Sequence, residues 1–207
     1  MKKIALIFCA LFMLAPLATV SAAEFKEGVQ YIKLADPQPT STGDKVEVME
    51  FFWYGCPHCF RFEPFVERLV KQLPANAQFV RTPAMFRATW ELHARAYYAA
   101  EILGVLEKVH KPMFNALHLE QRTLETDEQI TKLFVEQGVD KESFTKTFRS
   151  FAVETRIRRA KTLAERYNLD GVPAVIVNGK YMVNGRTAGG NAQMLQVIEY
   201  LVKQESR

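Results

Sequence analysis

The sequence predicts an α/β fold in which a βαβ segment and a ββα segment enclose a block of helices. Three features carry that reading: a short strand rich in β-branched and aromatic residues that runs into a cysteine pair, a middle section with helical spacing alone, and a return to strands around Asn178-Gly179.

The first residues read as an address. Lys2 and Lys3 form a positive n-region, Ile4 to Ala18 an apolar run and Ser21-Ala22-Ala23 a small-residue cleavage site, so residues 1–23 are expected to be a signal peptide and the mature chain to begin near Glu24. An apolar run of about 15 residues falls short of the roughly 20 that span a bilayer, and no later segment is long and apolar enough to stop transfer. A soluble exported protein is therefore expected. An uncleaved anchor is the alternative, and a lipoprotein signal is disfavoured because Cys9 sits inside the apolar run.

Val46 to Phe52 (VEVMEFF) reads as a buried strand. Phe62, Phe65, Val66, Leu69, Val70 and Leu73 then fall at helical spacing and Pro74 closes the run, placing a helix from the cysteine motif to about Leu73. Gln78 to Thr82 reads as a second strand, which completes a βαβ unit with the cysteines at the turn from strand to helix. From about Pro83 to Ser150 the pattern is helical, punctuated at Gly104, Pro112 and Gly138, and Thr126 with Gln129 resembles a capping box. A longer helix is expected from about Phe151 to Tyr167. Ala174 to Val177 and Lys180 to Val183 flank Asn178-Gly179, the dipeptide suited to a type I′ turn. A last helix carries Met194, Leu195, Ile198, Leu201 and Val202 on its apolar side. The segments 24–84 and 151–207 are thus expected to form one α/β domain, with 85–150 as a helical insertion.

Loss of a signal peptide would remove Cys9 and leave only Cys56 and Cys59. A pair two residues apart closes so short a loop that as a crosslink it would remove little unfolded-chain entropy, so its role is to react. Disulfide exchange needs a thiolate nucleophile, a nearby second thiol and exposure of only one sulfur. At a helix start, Cys56 faces the unpaired N–H groups of the first turn and the positive end of the dipole, which stabilise its anion; Cys59, one turn in, is the more buried, resolving sulfur. Pro57 suits the first helical position. His58 can donate a hydrogen bond or place a positive charge near the Cys56 sulfur. A stabilised thiolate stabilises the dithiol form, so the pair is expected to donate disulfides.

Half of a zinc site is the alternative for a C-x-x-C pair, but His58, His93, His110 and His118 form no second closely spaced pair of ligands. Glu50 is a carboxylate inside an apolar strand, where burial is costly. It is positioned to accept a proton from Cys59 when that thiol attacks; the plain alternative is a side chain facing solvent at a strand edge. The basic count falls from 27 to 25 without the signal, against 23 acidic residues, and the basic run Arg156, Arg158, Arg159, Lys161 reads as a solvated helix face. No nucleic-acid partner is expected.

Phe51 to Phe62 with CPHC at its centre, Gly171-Val172-Pro173-Ala174 and Val177-Asn178-Gly179-Lys180-Tyr181 together resemble the DsbA family of bacterial periplasmic dithiol oxidases, and the resemblance covers the mature chain in order and length. It implies a thioredoxin fold with an inserted helical subdomain and a periplasmic location; no separate dimerisation region is apparent in the sequence, so a monomer is expected. It also implies a cis Val172-Pro173 bond lying against the cysteines, in a loop that offers backbone hydrogen bonds to an extended substrate, and Glu50 as the family's buried acid. The implied partners are exported proteins with free thiols and a quinone-linked membrane oxidase of DsbB type. No cofactor beyond the Cys56-Cys59 disulfide is implied. Trp53-Tyr54 before the motif sets this chain apart within that resemblance, and the substrate groove can differ with it. A disulfide isomerase or reductase of the same fold is the alternative function.

Overall fold

The computed structural model describes residues 25–206; the expected signal peptide, with Cys9 and the cleavage site, lies outside the described residues. A five-stranded mixed sheet lies at the centre. In chain order the elements are β1 (Ile32–Lys33), β2 (Val46–Phe52), α1 (Pro57–Gln72), β3 (Ala77–Pro83), α2 (Ala88–Ile102), α3 (Leu106–His118), α4 (Asp127–Glu136), α5 (Lys141–Phe148), α6 (Phe151–Arg166), β4 (Ala174–Val177), β5 (Tyr181–Asn184), α7 (Gly185–Ala188) and α8 (Asn191–Glu205). The strand order is β1-β5-β4-β2-β3, with β2 parallel to β3 and antiparallel to β4.

β2 is buried along its whole length because it has a neighbour on each side and a layer over each face. Its side chains divide with a period of two. Val46 and Val48 join Val175, Val177 and Val183 beneath α1 and α8, where Phe62, Val66, Leu69, Leu195, Ile198 and Leu201 complete one core. Met49 and Phe51 point the other way, to Ile176, Met182 and Tyr167. Along α1 the buried positions Cys59, Phe62, Val66 and Leu69 recur at intervals of three and four, so one face of the helix lies on the sheet. Each such large apolar side chain contributes roughly 1.5–3 kcal/mol. Val70, which shares the helical spacing, is half exposed.

A second core lies among α2 to α5 and the first half of α6, with Met113, Phe114, Ile130, Leu133, Phe134 and Phe144 buried together; Phe52 and Tyr54, from the end of β2, reach into it. α6 serves both layers. Val153, Ile157 and Ala160 pack among the helices, while Leu163 and Ala164 near its end pack on the sheet with Tyr167.

The capping box at Thr126 and Gln129 opens α4, and the helices at the positions read from spacing are all present. Pro112 differs. It lies inside α3 and breaks nothing; the missing N–H costs one internal hydrogen bond, which the buried face of Val109, Met113, Phe114 and Ala116 outweighs. β5 is one residue later than the sequence pattern suggests, and β1 and α7 are elements too short for any periodicity to announce. Among the described residues no helix is long and apolar enough to cross a membrane.

The turn between β4 and β5 is the expected type I′, with φ of 51° at Asn178 and 65° at Gly179 and a hydrogen bond of 3.0 Å from Lys180 N–H to the Val177 carbonyl. A Cβ on Gly179 would stand 2.0 Å from the Gln38 carbonyl oxygen, so the position is closed to side chains by contact as well as by φ. Gly179→Ala is expected to destabilise the protein by about 2 kcal/mol, read as a lower urea midpoint at unchanged slope. An unmoved midpoint would mean that the Gln38 loop yields freely.

Candidate active site

β2 passes into α1 through Trp53, Tyr54 and Gly55, and Cys56, still extended with φ −85° and ψ 115°, is the last residue before the helix. It is the N-cap of α1, and its Sγ accepts a hydrogen bond from the Cys59 N–H at 3.4 Å, the place a Ser or Asp oxygen usually takes. Pro57 follows at the first helical position. Both cysteines are free thiols; Cys56 is 7% exposed and Cys59 0%, so access is confined to the first. The Cys56 thiol also donates to the Val172 carbonyl at 3.5 Å, and the Val172–Pro173 bond is cis, so two of the three segments that carry the sequence resemblance meet here.

The Cys59 side chain, hydrogen-bonded to the Cys56 sulfur, does most to stabilise the Cys56 thiolate; burial opposes it, and the N–H groups of Cys59 and His58 and the charge of His58 add to it, bringing the pKa down to about 6. The charge of His58 adds least of these, and its exposed ring lies with Nδ1 3.1 Å from the Arg61 guanidinium. Burial pushes the Cys59 thiol well above its ordinary value.

Glu50 is fully buried on the central strand, so it does not face solvent at an edge. Neither of its oxygens has a hydrogen-bond partner among the described residues; its nearest charge is Arg81 Nε, 3.3 Å away. Arg81 turns its terminal nitrogen to Glu63 at 2.9 Å, and the same Glu63 oxygen faces His110 Nε2 at 3.3 Å. Two carboxylates therefore divide one guanidinium. Burial, and then the Glu63 charge, raise Glu50 to about 8 in spite of Arg81. Glu63 is held below the ordinary range, because His110 and Arg81 together outweigh its own burial.

Three histidines of the helical block fasten the segment before the motif. The Trp53 indole N–H donates to His93 Nδ1 at 3.0 Å, and His93 Nε2 meets the Leu124 carbonyl at 3.0 Å. His118 Nε2 meets the Tyr54 carbonyl at 2.7 Å, and the Tyr54 hydroxyl lies 2.8 Å from His110 Nδ1. Trp53 stacks on Trp90 with ring centroids 4.2 Å apart, and its ring covers Gly55 so closely that a Cβ there would stand 2.3 Å from it.

Comparison with known proteins identifies the arrangement. The family described as DSBA-like thioredoxin domain matches residues 81–194. The thiol:disulfide interchange protein DsbA of Pseudomonas aeruginosa is 40% identical over 202 residues, which cover 97% of this chain and 96% of that protein. The chain belongs to the DsbA family. The crystal structure of Pseudomonas aeruginosa DsbA superposes with a TM-score of 0.84 at 41% identity, covering 88% of this chain and 95% of that one. A Proteus mirabilis DsbA in complex with a non-covalently bound peptide, PWATCDS, matches with a TM-score of 0.74 at 25% identity, covering 89% of this chain and all of that one. The fold is accordingly the thioredoxin-like α/β fold of DsbA, and the protein is a thiol:disulfide oxidoreductase.

In this DsbA-family chain the spacing singled out Cys56, Pro57, His58, Cys59 and Glu50, and the structure brings them to one junction with Val172 and Pro173. Arg81 and Glu63 went unread, and His110 was weighed only as a zinc ligand; Glu47 was missed as well, a second buried carboxylate of β2 that accepts from the Ser41 N–H at 2.7 Å and its hydroxyl at 2.6 Å. The only signal for Arg81 in the sequence is a charged residue inside a strand; its place directly opposite Glu50 comes from the register, which the structure supplies.

Two measurements bear on these groups. Alkylation by iodoacetamide is expected to follow a midpoint near pH 6 and to modify Cys56 alone; a midpoint in the ordinary thiol range would contradict the N-cap geometry. Glu50 binds its proton more tightly folded than unfolded, so the stability it contributes is complete below its ordinary value of 4.5 and is lost as pH rises through about 8. Glu50→Gln in the reduced protein should therefore match the wild type near pH 4 and become progressively more stable than it up to pH 8, as urea midpoints would report. A gap independent of pH would exclude a raised proton affinity.

Proposed function

We propose that the protein is a dithiol oxidase that passes the Cys56-Cys59 disulfide to exported proteins as they fold. The observation that carries this is the position of Cys56 Sγ as the N-cap of α1, where it accepts a hydrogen bond from the first turn. A thiolate held there favours the dithiol, and each unit of pKa lowering adds roughly 30 mV of oxidising power.

In the proposed cycle a substrate thiolate attacks Cys56 Sγ, the Cys56–Cys59 bond breaks, and Cys59 leaves with the electron pair. Glu50 holds a proton at neutral pH and lies near enough for its charge to raise Cys59, so it gives that proton to the departing sulfur. A second substrate thiolate then attacks the substrate sulfur of the mixed disulfide. Cys56 leaves as the thiolate that the helix start stabilises, the substrate has lost two electrons, and the pair has gained them. In the reverse direction Glu50 takes the proton back, and Cys59 is the resolving nucleophile. The disulfide of the pair is the only redox group the cycle uses.

Val172 and Pro173 bind the substrate in this reading. The Val172 carbonyl lies beside Cys56 Sγ, and the adjoining cleft of about 460 Å³ is lined by His58, Val172, Pro173, Arg186 and Asn191. An extended chain adding its backbone to this loop would bring its sulfur to Cys56. We further assign segments 24–84 and 151–207 to the thioredoxin-like domain and 85–150 to the insertion, with a periplasmic, monomeric protein reoxidised by a quinone-linked membrane partner of DsbB type.

Equilibration with glutathione tests the direction of transfer. The expected potential is clearly more oxidising than the value of about −270 mV typical of thioredoxin, and Cys56→Ser should abolish oxidation of a reduced substrate protein. A potential at the thioredoxin value would make the protein a reductase.

A further inference from the structure

The buried charges beneath the motif extend beyond Glu50. Tyr54, His110, Glu63, Arg81 and Glu50 follow one another in contact, at 2.8, 3.3, 2.9 and 3.3 Å. They come from the junction after β2, from α3, α1 and β3, and from β2 itself, so the chain ties the helical block to the sheet. Its three middle members, His110, Glu63 and Arg81, line a groove of about 860 Å³ between α1 and α3.

Charge counting shows what such a chain must decide. Glu50 and Glu63 face a single guanidinium, and two carboxylates against one fixed cation in a buried setting favour retention of one proton between them. The carboxylate with more donors stays ionised. Glu63 has Arg81 at the shorter distance and His110 besides, while Glu50 has only the longer Arg81 contact. The His110 contact depends on a tautomer. Tyr54 is buried, and burial holds its hydroxyl protonated, so the O–H donates to Nδ1 and the imidazole proton is left on Nε2, facing Glu63. Burial also keeps His110 itself neutral toward lower pH. The other groups around the ring are Glu107 on its own helix, the rings of Phe52 and Phe114, and Tyr97 on α2, with its centroid 6.4 Å away.

We propose that His110, oriented by Tyr54, decides through Glu63 and Arg81 which of the two buried carboxylates carries a proton, and so is a positioning residue for proton exchange between Glu50 and Cys59. It touches neither sulfur. Without its N–H, Glu63 loses the donor that favours its anion, the proton moves to Glu63, and Arg81 is left to pair with an ionised Glu50. The consequence for exchange rests on the role of Glu50 proposed above; the placement of the proton does not.

The test uses the oxidised protein, in which neither cysteine titrates. Glutamate side-chain carbons labelled with ¹³C report the midpoints of Glu50 and Glu63, assigned with Glu50→Gln and Glu63→Gln. In His110→Phe the Glu50 midpoint is expected to fall by about one pH unit or more and that of Glu63 to rise. His110→Gln, whose amide can present an N–H to Glu63, should restore most of the difference, which a merely structural role for the ring would not predict. If His110→Phe does not fold, Tyr54→Phe, which frees the tautomer, should move both midpoints in the same directions by a smaller amount. A Glu50 midpoint unmoved in the folded variant overturns the proposal. The pH profile of exchange with a thiol peptide is read alongside: a profile that follows the Glu50 midpoint supports both readings, and midpoints that move under a fixed profile uphold His110 while removing Glu50 from the chemistry.

Discussion

A helix that begins directly at the end of a strand leaves its first N–H groups without partners, and here the atom that receives one of them is the reactive sulfur. Everything distinctive about the site follows from giving that place to Cys56. An oxygen cap would stabilise the helix and do nothing more. A sulfur cap stabilises the helix best as an anion, and a disulfide cannot be an anion. Helix capping and redox chemistry therefore compete for the same atom, and reduction serves the helix. Pro57 makes the competition sharper because it removes one donor and leaves Cys59 to supply the N–H that Sγ accepts.

The same junction explains the helical block. Trp53 and Tyr54 are large, carry polar atoms and sit where β2 leaves the sheet, so their rings need a second core and their heteroatoms need partners. His93, His110 and His118 supply those partners from α2 and α3; Phe52 and Phe114 pack against the Tyr54 ring and Trp90 against that of Trp53. The helical block is thus a support for the residues just before Cys56. Its histidines, first weighed as metal ligands, are hydrogen-bonding fasteners, and among the described residues no cluster of three His, Cys, Asp or Glu side chains is arranged to hold a metal ion.

What could be read from the sequence was whatever has a period or a local rule. β2 and β4 announce themselves as short, continuous runs rich in β-branched or aromatic residues, α1 and α8 because their buried positions recur every three to four residues, and Asn178-Gly179 because only certain residues accept positive φ at both turn positions. Pro112 was misleading because a local rule was overridden by the buried face of α3. The chain from Tyr54 to Glu50 was out of reach for a different reason. Its members lie as far apart in sequence as Glu50 and His110, and each alone is an ordinary residue of its element; only the strand register and the crossing of α1 with α3 make them neighbours. Glu50 was legible, since a carboxylate in an apolar strand is conspicuous, while the group that shares its proton was not.

α6 is one continuous rod with its first half embedded in one core and its last turn in the other. The same run of backbone hydrogen bonds therefore passes from the core of the helical block to the core against the sheet, and α6 joins the two without a loop between them.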